Sequence, residues 1–90
     1  MSRTILQSTA GDLEALISMY RGARFSDTTM ERMGDIEINL FEKATKSPAN
    51  DMADLTAKGV ILKLAIRQEL ATIIEELAAS LAADIERMAA

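Results

Sequence analysis

Cysteine and histidine are both absent from this 90-residue chain, tryptophan is missing too, and proline occurs once. Without Cys and His the chain has none of the ligands that build structural zinc sites, so a zinc-stapled fold is excluded along with any disulfide framework. The same absence removes the side chain that most often serves as general acid or base near neutral pH. Ferritin-like di-metal sites need Glu-x-x-His pairs, so that reading fails as well. No metal and no cofactor is expected. Only three residues are aromatic, and no Gly-rich phosphate loop, Gly-x-Ser-x-Gly elbow or Lys-bearing P-loop occurs.

Long hydrophobic runs are also missing. No stretch approaches the roughly 18 apolar residues of a membrane span, and the first residues, MSRTILQSTAGD, hold no signal-peptide core. A cytoplasmic protein without membrane contact is the expectation. Fourteen acidic against ten basic residues give a net charge of −4, which disfavours broad contact with nucleic acid or anionic lipid. Acidity concentrates after residue 25, and only the N-terminal quarter is mildly basic.

What is present is helix-forming sequence, and the longest piece runs from Ser47 to Met88. Ser47 is a good N-cap and Pro48 suits the first helical position, where its fixed φ is already helical. Leu62, Ile66, Leu70, Ile73, Leu77, Leu81, Ile85 and Met88 recur three or four apart, the period of one helix face. Only Gly59 interrupts, and it marks the one place where this helix could kink. A helix over 48–88 would be about 60 Å long, too long to bury its stripe within one small domain.

Upstream, Thr9 with Asp12 has capping-box-like spacing that predicts a helix starting near Ala10 and ending at Gly22. Thr28 with Glu31, or alternatively Ser26 or Asp27, opens a second helix whose apolar face is Met30, Met33, Ile36, Leu40, Phe41 and Ala44. Pro48 ends it. The fold class predicted is therefore all-α: one domain over residues 1–90, a three-helix bundle with a very long C-terminal helix, dimerising as a helical bundle. The dimer interface is placed on Leu70, Ile73, Ile74, Leu77, Leu81 and Ile85, which lie beyond the reach of the two shorter helices. Oligomerisation would also help a domain this small, whose core alone is marginal.

The sharpest local feature is Tyr20-Arg21-Gly22-Ala23-Arg24-Phe25. Arg21 and Arg24 flank a glycine turn and form a candidate ligand site, since two guanidinium groups can clamp a phosphate or carboxylate. A C-capped helix end whose arginines complement the dipole accounts for the same residues. Glu75 and Glu76 read as a solvated face, Asp51 and Asp54 as first-turn acids, with Asp54 four residues before Lys58 in the order that favours an ion pair. Met30, Met33, Met52 and Met88 fit core filling better than an adaptable groove.

Pro48-Ala49, Asp54-Leu55 and Ala57-Lys58 open the last helix in a series that resembles short uncharacterised helical proteins of alphaproteobacteria, over about a quarter of the chain. The resemblance implies a bacterial origin and carries no activity with it. Function is expected to be a non-catalytic helical interaction or scaffold protein acting as a homodimer, with another protein as a further partner. The alternatives are a small regulator whose first two helices form a helix-turn-helix-like pair, with Arg21, Arg24 and Arg32 on phosphates, and an enzyme using Arg and carboxylates. The acidic balance separates the first from the regulator. It predicts no salt-sensitive binding of duplex DNA at physiological salt, measured by fluorescence anisotropy, because phosphate contacts supply nearly all non-specific affinity.

Overall fold

Four helices form among the described residues, because the C-terminal stretch reverses direction where a continuous helix was expected. The structure, a computed structural model, describes residues 4–22 and 25–90, the side chains of residues 21 and 22 excepted. The helices are α1 (Ile5–Gly22), α2 (Asp27–Lys46), α3 (Met52–Arg67) and α4 (Ala71–Ala89).

Helix α1 starts five residues before the predicted position. Thr4 and Gln7 make a reciprocal capping box: the Gln7 amide donates to Thr4 Oγ1 and the Thr4 amide to Gln7 Oε1, both at 3.2 Å. Thr9 lies inside the helix instead, buried, its hydroxyl donating to the Ile5 carbonyl at 2.7 Å. The four-three-four spacing of Leu6, Ala10, Leu13 and Ile17 supplies the buried stripe.

Helix α2 is capped by Ser26, whose side chain accepts from the Thr29 amide. Met33, Phe41 and Ala44 are buried as the periodicity predicts, whereas Met30 and Ile36 face solvent. Ser47 closes α2 rather than opening α3, its amide donating to the Ala44 carbonyl and its hydroxyl to the Lys43 carbonyl. Residues 48–50 form a connection without helix, and Asp51 is the true N-cap of α3, accepting from the Asp54 amide at 2.8 Å. This spacer buries Ala49 completely.

The largest correction concerns the long helix. Gly59 sits within α3 without a break; the chain turns at Gln68, Glu69 and Leu70. The Glu69 amide donates to the Ile66 carbonyl and the Leu70 amide to the Ala65 carbonyl, the paired bonds of a Schellman motif. Its left-handed position, φ 56°, is filled by Glu69 where glycine is usual. Such a conformation costs a non-glycine residue about 1–2 kcal/mol. Reversal buries Ile73 and Leu77, about 1.5–3 kcal/mol each, so burial wins.

Helix α4 then runs antiparallel along α3 and against α2, while α1 packs on the other side of α2 and α3 without reaching α4. Leu6, Leu13 and Ile17 of α1, Phe41 of α2, Ile61 and Ala65 of α3, and Ile73 and Leu77 of α4 share one core. Among the described residues no helix is long and apolar enough to cross a membrane.

A Cβ placed on Gly59 meets nothing within 4 Å. Gly59→Ala should therefore raise stability by about 1 kcal/mol and the melting temperature by about 4–8 °C. Glu69→Gly tests the turn itself. It should leave stability unchanged or raise it by up to about 1 kcal/mol, whereas a continuous helix would lose about 1 kcal/mol. Thermal and urea melts of both variants check these outcomes.

Candidate functional site

Three features compete for a functional role: a buried ionic cluster, a polar cleft, and an apolar helix face. The cluster is built by the reversal. Lys58 stands on the face of α3 that also buries Asp54, Ile61 and Ala65, and it has no exposed surface. Folding α4 back brings Asp84 to it. Lys58 Nζ donates to Asp84 Oδ2 at 2.5 Å and to Ser80 Oγ at 2.9 Å, and the Ser80 hydroxyl donates to the Thr45 carbonyl at 2.8 Å. Arg87 Nη2 donates to Asp84 Oδ1 at 3.0 Å and to the Ala49 carbonyl.

Burial alone would raise the Asp84 carboxyl, but hydrogen bonds from Lys58, Arg87 and the Ala49 backbone, together with the Lys58 charge, hold it below its ordinary value of 3.8. Every buried polar atom of the cluster has a partner: among the described residues no buried side-chain polar atom lacks one. It ties α3, α4, the end of α2 and the 48–50 connection together. The expected Asp54–Lys58 pair is not made. Asp54 instead accepts the Thr4 hydroxyl at 2.6 Å, fastening the start of α1 to α3.

The cleft lies where α1 and α2 meet the end of α3. Tyr20, Met30, Gly34, Glu37, Arg67 and Gln68 line a volume of about 540 Å³. Ile17, Arg67 and Gln68 also border a second hollow of about 420 Å³ with Glu14, Ser18 and Lys63. Burial raises the Glu37 carboxyl above its ordinary 4.5, with the neighbouring Tyr20 hydroxyl pulling the other way. Tyr20 is itself raised, first by burial and then by the Glu37 carboxylate. Tyr20 with Glu37 is the one hydroxyl–carboxylate pair of the cleft among the described residues, and no group of three potential metal ligands occurs there or elsewhere among them. Nothing there joins a nucleophile to an oriented base.

Of the candidate ligand pair, Arg21 belongs to the last turn of α1 with its side chain outside the described structure, and Arg24 lies outside the described residues. The six residues assigned to a dimer interface divide. Ile73 and Leu77 are buried inside the chain, Leu70, Ile74 and Leu81 are half-buried, and Ile85 is exposed. The overhang that motivated that interface does not exist, since α4 folds back. Its outer edge nevertheless stays apolar: Leu70, Ile74, Leu81 and Ile85 keep surface beside Leu62 and Ile66 of α3, of which Ile66 is 53% exposed.

Sequence periodicity had marked this stripe, but not the ionic cluster, whose partners are 26 residues apart. One signal was available. Lys58 shares an α3 face with Asp54, Ile61 and Ala65, an anomaly for a solvated lysine.

Removing one member of a buried ion pair strands the other. Lys58→Ala or Asp84→Ala should each cost about 3–5 kcal/mol, and Lys58→Met with Asp84→Leu should recover most of the loss. The Asp84 contribution is complete above the unfolded-state value of 3.8 and is lost as pH falls through its lower folded value. Urea melts from pH 7 downward should therefore show an acid-side loss of stability that is reduced in Asp84→Asn. No protein family, no curated protein and no solved structure matches the chain.

Proposed function

We propose that this protein is a non-catalytic helical interaction module that acts as a homodimer through the outer face of α4 and the adjoining edge of α3. One observation carries the reading. At about 100° per residue, Leu81, Ile74, Ile85, Ala78, Ala71 and Ala82 fall within an arc of about 100° on α4, and none of them is charged. Ile85 is 50% exposed, and Ala71, Ala78 and Ala82 face solvent. An exposed helix face normally carries charge. Here Glu75 and Glu86 stop at its border, and Leu62 and Ile66 of α3 continue the apolar surface on the other side.

Contiguous apolar surface of this kind marks an interaction site, and exposed alanines let a second helix approach closely. The Lys58 cluster, in which each buried polar atom is partnered, supports a structural role for the most buried polar groups. The cleft at Tyr20 and Glu37 supplies no catalytic arrangement that competes with this reading.

The test is light scattering coupled to size exclusion over a concentration series. The wild type should approach dimer mass at high micromolar concentration, and Ile85→Glu, a change at an exposed position, should be monomeric with an unchanged helical spectrum. A wild type that stays monomeric, or an Ile85→Glu variant that stays dimeric, would overturn the proposal. Leu77→Asp is the wrong probe: Leu77 is fully buried, so that change unfolds the subunit itself.

A further inference from the structure

We propose that the cleft between α1, α2 and the end of α3 binds a small organic ammonium ion, with the Glu37 carboxylate as its counter-charge. Met30, Gly34 and Glu37 stand four and three residues apart, so α2 presents them on one face within an arc of about 60°. Ile17 and Tyr20, one turn apart on α1, form the second wall, and Arg67 with Gln68 closes the third. Glu37 is the unusual member. It is only 7% exposed, yet both ion pairs found among the described residues belong to Asp84, so no described cation balances its charge. A buried carboxylate without a cation is costly. Burial accordingly holds its carboxyl above the ordinary 4.5.

Gly34 provides the room. A Cβ there meets nothing within 4 Å, so the glycine leaves open the space one turn before Glu37. The cleft volume of about 540 Å³ lies within the range of small-molecule sites.

Charge decides which molecule fits. Tyr20 is in the last turn of α1 and Arg67 is the last residue of α3, so the negative ends of two helix dipoles meet at the cleft. With Glu37 they favour a cation. An ammonium ion there donates to the carboxylate and lies against the Tyr20 ring, a cation–π contact, while its apolar body packs between Ile17 and Met30. A carboxylate ligand would set a second negative charge beside Glu37. Arg67 does not reverse this, because its side chain is exposed and water and salt screen an exposed charge more than a buried one. A calcium ion takes about six to eight oxygen ligands, whereas Glu37 is the one carboxylate lining this cleft. No residue of α4 lines it either, so the site is independent of the proposed dimer.

NMR titrations with 2-phenylethylammonium test the site, with 2-phenylethanol and phenylacetate as neutral and anionic probes of similar shape. At pH 7 the ammonium should shift the resonances of Tyr20, Gly34 and Glu37 and bind at least about tenfold more tightly than either control, the margin of a charge-assisted hydrogen bond. Glu37→Gln should bring the ammonium and the alcohol to equal affinity, and the fold should persist, since the change removes an unpaired buried charge. Gly34→Leu should abolish binding by filling the cleft while keeping the helical spectrum, because leucine is the better helix former. Thermal melts establish that both variants fold. Failure of the ammonium to saturate the wild type by about 10 mM, an alcohol that binds it as tightly, or a phenylacetate that binds more tightly would overturn the proposal. These three results need the wild type alone. A folded Glu37→Gln that keeps the preference for the ammonium would overturn it as well.

Discussion

The reversal at Gln68, Glu69 and Leu70 is the constraint on which the rest of the structure depends. It places a residue with a side chain in the left-handed region, at a local cost that burial of Ile73 and Leu77 more than offsets. Without it α4 would continue away from the domain, and the core shared by α1, α2 and α3 would lose its fourth wall. The Schellman bonds satisfy two carbonyls at the end of α3, so the turn leaves few backbone groups unpaired.

The same reversal creates the buried cluster. Lys58 would be an intolerable charge on the face of α3 it occupies, and Asp84 reaches it only because α4 runs back alongside. Buried ion pairs are weak contributors to net stability, since desolvation cancels much of the attraction. Their geometric demand is stronger. Lys58, Ser80, Asp84 and Arg87 together contact both α3 and α4 and two backbone carbonyls, those of Thr45 and Ala49. A rotation of α4 that slid its leucines harmlessly within an apolar core would break several of these bonds at once. The cluster thus selects one rotation of α4, and that rotation decides which residues the helix shows to solvent.

The proposed function follows from that orientation. A helix held by Ile73, Leu77, Ser80 and Asp84 on its inner side turns Ala78, Ala82 and Ile85 outward, and these residues cannot reward hydration as a charged face would. A domain of this size buries a modest share of its surface, so covering the remaining apolar stripe with a second copy is an available source of stability. The Tyr20–Glu37 pair points the opposite way energetically. A carboxyl raised by burial opposes folding once pH exceeds its unfolded value of 4.5, a cost that the wider α1–α2 packing carries.

Sequence alone determined the helical class and the apolar period from Leu62 to Met88, because a period of 3.6 acts over a few residues; the cap of α2 is Ser26, which the sequence offered only as an alternative to Thr28 with Glu31. It also settled that Cys and His chemistry is absent. The reading that starts α1 near Ala10 from Thr9 and Asp12 misses the capping box of Thr4 and Gln7, since local spacing cannot show which threonine the core will bury. The break at Glu69 and the partner of Lys58 belong to tertiary structure. No glycine marks the turn, and a residue without one enters the left-handed region only when distant contacts repay it. For the same reason the stripe read as a single dimer seam split in two: Ile73 and Leu77 face α2 and α3 within the chain, and Ile74, Leu81 and Ile85 remain at its surface. Periodicity identifies an apolar face, but only the packed chain decides how much of that face it covers itself.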